Sequence, residues 1–437
     1  MKVILYSTIN TSRLQYICHF IFIELLRIDL NMSSNVEAYK SFNGVKLNYS
    51  QDMICEKELH ISPVGLLFQQ NITSQSIDCF EVNNNKAFFK TSGTDFPFDI
   101  FAASFYLLSR YEEYLPHKKD MYGRYAHENS LAFKEGFLHL PLINIWVKDL
   151  ASAILKVFPD FTINPSPFSF TPTYDIDIAY SYKHKGLLRN IGGFLRTPAI
   201  DRIKVLCGLE KDPFDVYEWL QTLHEKFELK PIYFFLVADQ NGVYDKNISP
   251  DNTAMRQLVN QHAKKYTIGI HPSWQSADDS ILFKNEKVQL EKMSQIGIAN
   301  SRQHYIRFNL PQGYRSLLQT GITDDHSMGY GSINGFRASV ASSFNWFDVE
   351  KNEETSLRIH PFCYMEANAY YEQKITAEEA FKELMQYYAI CKEVNGTLIT
   401  IWHNHMLGND KLYEGWGAVY EKFLNRIFVR KEEATIL

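Results

Sequence analysis

Two aspartates stand two positions apart in an otherwise apolar stretch, Phe170-Thr171-Pro172-Thr173-Tyr174-Asp175-Ile176-Asp177-Ile178. In an extended chain residues i and i+2 project to the same side, so Asp175 and Asp177 share one face. Paired carboxylates in an interior repel each other and are costly to desolvate, which calls for something positive beside them. Further along, His271 follows "TIGI", Arg302 and His304 lie in "RQHY", and His403 follows "TLITIW". Carboxylates and imidazoles are the residues from which divalent-metal sites and general acid–base pairs are built. The strings "TDDH" (Asp324, Asp325, His326) and "WHNH" (His403, His405) have the same flavour. Adjacent strand residues point apart, so only Asp325 and His403 are kept as site candidates.

Residues this far apart need a scaffold that gathers them. From Thr171 the pattern alternates strand and helix. "DPFDVYEWLQTLHEKF" predicts a helix with Asp212 as cap and Pro213 at its first position. "PIYFFLVA" predicts a buried strand. A helix over "AMRQLVNQHAKKY", the strand "TIGI", a helix over "KVQLEKMSQIG", a strand near "RQHYIRF" and a helix over "QGYRSLLQTG" follow. "TAEEAFKELMQYYAICKEVNG" opens with a capping box, Thr376 and Glu379, and closes at Gly396 before "TLITIW". Repeated β-α units with strands apolar on both faces imply a parallel sheet, open or closed into a barrel. In a barrel the carboxyl ends of the strands meet at one mouth, so Asp177, His271, His304 and His403 could converge.

The first part of the chain reads differently. Residues 1–160 predict a smaller mixed α/β domain, with Asp99 capping a helix over "IFAASFYLLSRYEEYL" that ends before Pro116. Pro159, Pro165 and Pro167 mark the seam, and 165–437 forms the second domain. "LLSRYEEYLPHKKDMYGRY" is rich in tyrosine and charge and reads either as a helix packed on the second domain or as a partner or substrate surface.

A length of 437 residues favours two domains, or one large barrel plus an appendage, over one ordinary core. Hydrophobic residues make up 45% and aromatics 14%, with 26 Tyr and 31 Phe, which argues against disorder and suits flat, partly polar ligands such as sugars. The net charge of -5, spread without long runs, argues against nucleic acid and shows no face for anionic lipid. Six scattered cysteines form no C-x-x-C pair and fit a reducing compartment. The N-terminal "MKVILYSTINTSRLQYICHFIFIELL" is too interrupted for a signal peptide, and no run reaches the roughly 18 to 20 apolar residues of a membrane span. A cytoplasmic protein is expected.

The motifs from about residue 165 to 437 resemble the polysaccharide deacetylases of carbohydrate esterase family 4, the NodB-homology group, in a two-domain bacterial branch. "TYDID" resembles the family's first motif, "IGIHPSW" its histidine motif, "RQHY" its arginine motif, "GITDDHSMGY" a later strand with an Asp-Ser element, and "ITIWHNHML" its last motif, all in family order. The resemblance implies a deformed (β/α) barrel. It makes Asp175 the catalytic base, Asp177 and His271 ligands of a divalent metal, zinc by preference, and Arg302 the partner that holds the base charged. Tyr305 would lend its amide to an oxyanion hole, Asp325 would stand near the substrate, and His403 would be the general acid. Where the family places a second histidine ligand this chain has Gln275, a poor zinc ligand, and His304 is the candidate replacement. The implied activity is removal of an N-acyl group, acetyl first, from an amino sugar. The alternatives are a metal-free hydrolase of another C–N amide and a silent carbohydrate-binding or assembly protein. A cytoplasmic placement fits a nucleotide- or lipid-linked sugar better than a polymer.

Overall fold

Four short apolar segments open the chain: β1 (Val3–Ser7), β2 (Leu30–Ser33), β3 (Val45–Tyr49) and β4 (Leu59–His60), which pair in parallel in the order β2-β1-β3-β4. The computed structural model describes residues 2–196, 199–238 and 242–428. After β1 the Thr11 hydroxyl caps the helix Ser12–Cys18 by accepting from Leu14 N, giving the expected strand, turn and helix. A small hairpin, β5 (Phe80–Val82) and β6 (Asn85–Ala87), precedes the helix Ile100–Leu108. Asp99 caps that helix through Ala102 N, and its other oxygen takes the Tyr49 hydroxyl and Val64 N. Arg110 then adopts a left-handed conformation and a tight turn, Tyr111–Tyr114, ends the run before Pro116.

The larger sheet has nine strands: β7 (Ser169–Ile176), β8 (Ile232–Leu236), β9 (Thr267–His271), β10 (Asn300–Ser301), β11 (Asp324–Asp325), β12 (Phe344–Asp348), β13 (Glu353–Ile359), β14 (Tyr364–Met365) and β15 (Thr397–His403). Their order is β12-β13-β11-β10-β9-β8-β7-β15-β14, and among the described residues of this sheet only the β12–β13 hairpin is antiparallel. Among the described residues no ladder joins β12 to β14. A backbone bond from Thr397 N to Ala341 O (2.6 Å) draws the segment before β12 against the start of β15. The mixed α/β character and the parallel-rich sheet match expectation.

Local expectations fare unevenly. The capping box at Thr376 and Glu379 is present, and the Gly396 amide closes the helix Ala377–Glu393 onto Cys391 O. Asp212 is not a helix cap: its carboxylate accepts backbone N–H groups of Ser181, Tyr182, Lys183 and Phe214, and the helix starts later, at Tyr217–Lys226. The strand expected near "RQHYIRF" is the two-residue Asn300–Ser301 just before it, because His304–Ile306 turns sharply with positive φ at Tyr305 (57°) and Ile306 (55°). That conformation is strained for any residue but glycine, and most for a β-branched one.

One hydrophobic cluster runs from Val3 to Leu424 through both sheets. Polar clasps cross the same seam: the Tyr16 hydroxyl donates to Asn345 O (2.7 Å) and Arg13 Nε to Asn352 Oδ1 (2.6 Å). Fully buried Glu113 takes Arg110 Nε (2.8 Å), Arg337 Nε (2.9 Å) and Arg337 Nη2 (2.6 Å).

Candidate metal centre

Strand register places the chemistry. Asp175 near the end of β7 lies beside His403 at the end of β15 in one direction and Phe234 of β8 in the other, while His271 ends β9. Arg302 follows β10 and is fully buried. Its Nη1 donates to Asp175 Oδ1 (2.9 Å) and Thr173 Oγ1 (2.6 Å), its Nε to His326 O (3.0 Å), and the guanidinium lies 4.4 Å from the centre of the Phe234 ring. The expected arginine–aspartate pair is therefore formed, with the guanidinium held from three sides.

Asp177, His271 and His304 offer one ligand atom each, all within 4.8 Å of one another, which makes a possible metal site. Two features of the residues fit a cation. First, each imidazole is anchored through Nδ1, His271 to Arg302 O (2.6 Å) and His304 to Asp245 Oδ1 (3.0 Å), which turns Nε2 towards Asp177. A histidine whose second nitrogen is tied to a carbonyl or carboxylate is the usual form of a metal-ligating imidazole. Second, Asp177 Oδ1 is buried and accepts no hydrogen bond, although His271 Nε2 is only 3.2 Å away. The lone pairs converge on a common point rather than on each other.

Electrostatics point the same way. Burial alone would raise the Asp177 carboxyl, but His304 and His271 hold it well below the usual range. Burial pushes His304 down, and Asp177 with Asp245 outweighs it, lifting the imidazole to about 9. A field that draws a proton to this point also draws a divalent cation. Gln275, where the resemblance expects a ligand, sits exposed in the turn Gln275–Ala277, and His304 supplies the third donor instead.

His403 also reaches Asp177, its Nε2 3.6 Å from Oδ2. Glu366, fully buried, accepts both the His403 backbone N–H and Nδ1 (2.9 Å). Burial works against a charged imidazole here, but Glu366, Asp177 and Asp175 carry it up to about 10, which favours the protonated ring. His405, set aside in the sequence, also lines the cavity, because the chain turns from strand into the short helix Asn404–Leu407. Burial and then the neighbouring His403 charge press it down to about 3, leaving it neutral.

Asp177, His271, His304, His403 and Asp175 line a cavity of about 440 Å³. Tyr305 lines it too. Its carbonyl accepts Arg124 Nη1 (2.7 Å), and Arg124 is itself held by Asp120 Oδ2 (2.6 Å). A Cβ at Gly331 would collide with this guanidinium and with the Tyr305 carbonyl, so the close approach needs glycine there. Tyr122 and Arg124 thus make a segment of the first 160 residues part of the cavity wall. Beside them Tyr244 stacks on Trp274, centroids 3.9 Å apart and 18° from parallel, and Tyr122 packs 5.7 Å from Trp274.

Asp325 is the site candidate that stays outside. It is fully buried behind the cavity wall, its oxygens taken by Ser301 Oγ (2.8 Å), Ser327 N (2.9 Å) and Ser327 Oγ (2.9 Å). Two of these donors come from Ser327, so Asp325 supports the turn after β11, and it does not line the cavity. Conversely, Asp245 and Glu366 were missed: each is a single acid in an ordinary-looking run, "GVYDKN" and "CYMEANAY", and only the fold brings them to a histidine.

Residues 3–159 match the model of a family of unknown function, DUF7033. No curated protein matches the chain. Similar solved structures include one described as a polysaccharide deacetylase from Mycobacterium smegmatis, 11% identical, covering 61% of this chain and 86% of that one with a TM-score of 0.40. Another, so described from Pseudomonas aeruginosa PAO1, is 11% identical, covers 61% and 89%, and has a TM-score of 0.37.

Proposed function

We propose that the chain is a metal-dependent hydrolase that removes an N-acyl group, acetyl by preference, from an amino sugar, with residues 165–437 as a NodB-type catalytic domain and residues 1–160 as a second domain closing one wall of its site. The observation that carries this reading is the division of labour around Asp177: an arginine-paired carboxylate, Asp175, and a glutamate-paired imidazolium, His403, both standing beside the three-ligand cluster. A binding module has no use for such an acid and base.

Asp177, His271 and His304 would hold the cation, and zinc suits one carboxylate and two imidazoles. When bound, a divalent metal acidifies water and polarises the acyl carbonyl. Asp175 accepts the proton of the attacking water while Arg302 keeps its carboxylate in place. The Tyr305 amide, on its left-handed turn, is assigned to the developing oxyanion. His403 then delivers its proton to nitrogen, so the amine leaves neutral and the acyl group departs as a carboxylic acid. The stacked pair Tyr244–Trp274 with Tyr122 gives flat apolar surface beside these groups, which suits a pyranose ring.

The test is metal content per chain with and without His271→Ala, followed by release of acetate from N-acetylated amino sugars by the wild type and by Asp175→Asn. About one ion per chain, lost in His271→Ala, with turnover abolished but ligand affinity kept in Asp175→Asn, is expected. No bound ion even after added zinc would sink the reading.

A further inference from the structure

Between β7, which leads into Asp177, and the helix Tyr217–Lys226 the chain makes an excursion through two helices, Leu187–Arg196 and Ile200–Leu206. Its described surface is dense in exposed apolar side chains. Ile191 (48%), Leu195 (78%), Ile200 (72%), Ile203 (48%), Leu206 (48%) and Leu209 (76%) are all exposed. Single exposed apolar residues are ordinary, but six large ones within 19 positions, 191 to 209, form a patch that needs a partner.

The same excursion is the basic region of an acidic chain. Residues 183–211 carry seven Lys or Arg against two Asp or Glu, a net +5 in a chain of net -5, leaving -10 for the remainder. The whole-chain balance hides this excess. Apolar residues alternating with cations on short amphipathic helices are the composition of segments that lie in the headgroup region of a membrane.

The excursion is tied to the rim of the catalytic cavity. Arg189 donates to Lys246 O (2.9 Å) and Asn247 O (3.4 Å), Asn252 Nδ2 to His184 O (2.8 Å), and the Asn247 side chain receives Ala179 N (2.9 Å). Lys246 and Ile178 line the cavity itself. Whatever covers the patch therefore lies next to the mouth.

We propose that this excursion docks the protein on an anionic membrane surface, its apolar side chains entering the boundary between headgroups and acyl chains and its cations meeting lipid phosphates. A membrane is favoured over a protein groove because cations and apolar residues are interleaved along the sequence of both helices, which matches an apolar layer beneath a negative one. No helix among the described residues is long and apolar enough to cross a membrane, so contact would be peripheral. One corollary rests on the deacetylase reading: the acylated amino sugar reaches the site attached to a lipid, presented at the surface on which the mouth rests.

The full-length protein would be sedimented with vesicles of phosphatidylcholine alone and of equal parts phosphatidylcholine and phosphatidylglycerol, at low and high salt. The wild type should bind the anionic vesicles, weakly or not at all the neutral ones, and less as salt rises. The double variant Leu195→Glu, Leu209→Glu changes two side chains that are three-quarters exposed, so its thermal midpoint should not move, while its vesicle affinity falls about tenfold or more. On a soluble N-acetylated amino sugar the variant should turn over like the wild type, and on an N-acetylglucosaminyl lipid in the same vesicles it should be slower. Absence of vesicle binding, equal binding by the variant, or a patch masked only by a protein partner would each overturn the proposal. Intact vesicle binding without deacetylation of any sugar would overturn the enzymatic reading and leave membrane docking standing.

Discussion

His304 Nδ1 lies 3.0 Å from Asp245 Oδ1, and the opposite nitrogen of the same ring faces Asp177 Oδ2 across 3.7 Å. Asp245 is all but fully buried and also receives Trp274 N (3.1 Å), so its carboxylate is fixed before it fixes the imidazole. This relationship turns the histidine after β10 towards Asp177, where the proposed reading has it take the place of the ligand absent at Gln275.

Replacing Asp245 by Asn should therefore weaken metal binding without removing a ligand. The amide still accepts the Trp274 N–H but loses the charge that orients His304. Competition with a chromogenic chelator should show zinc affinity lower by about 10- to 100-fold, the usual cost of losing such a partner. Unchanged affinity would mean that His304 is not a ligand.

A second acid acts on His403, the proposed proton donor. Glu366 binds His403 at both its backbone N–H and Nδ1. Glu366→Gln removes the charge that keeps the imidazole protonated and should lower kcat by about 100-fold or more, with KM and metal content close to wild type. Because the two residues work as a unit, adding Glu366→Gln to His403→Ala should cost little beyond His403→Ala alone. Additive losses, or loss of metal in Glu366→Gln, would contradict this assignment.

Why the sequence revealed one half of the site and concealed the other is a matter of distance along the chain. Asp175, Asp177, His271 and His403 stand at strand ends whose apolar runs are legible from composition, and the parallel order of those strands follows from the alternation with helices. His304 was found as a histidine in a motif, but the turn that presents it depends on Arg124, 181 residues away, and on the missing Cβ of Gly331. Asp245 and Glu366 lie in loops with no periodicity to mark them. Asp212 and Asp325 erred in the other direction. Each has a residue type and position that suit a cap or a site; Asp212 instead accepts backbone N–H groups of Ser181 and Tyr182 from the loop after β7, and Asp325 accepts Ser327 N and the hydroxyls of Ser301 and Ser327. The basic, apolar excursion was legible, but only in a local window, since averaging over 437 residues turns +5 into part of -5.

The seam between the N-terminal and C-terminal parts makes a prediction about acid stability. Glu113 is buried with Arg110 and Arg337, whose guanidinium also packs over Phe308, its carbon 4.5 Å from the ring centre. Burial would raise the Glu113 carboxyl, but Arg337 and Arg110 prevail and bring it from 4.5 down to about 2. As pH falls, the unfolded chain takes up this proton first, near 4.5, while the native protein refuses it until about 2. The stabilisation is complete above 4.5 and drains away as pH drops through that window. Glu113→Gln imitates the protonated state permanently and leaves two buried guanidinium groups with less than their partner. At pH 6 it should lower unfolding stability by about 3 to 5 kcal/mol. Measured by urea denaturation, the gap between wild type and Glu113→Gln should narrow steadily as the pH is lowered from about 4.5 towards 2, because the wild type becomes like the variant. A gap that stays constant over that range would show that Glu113 is not held ionised by the two arginines, and that the seam owes its strength to the shared apolar core instead.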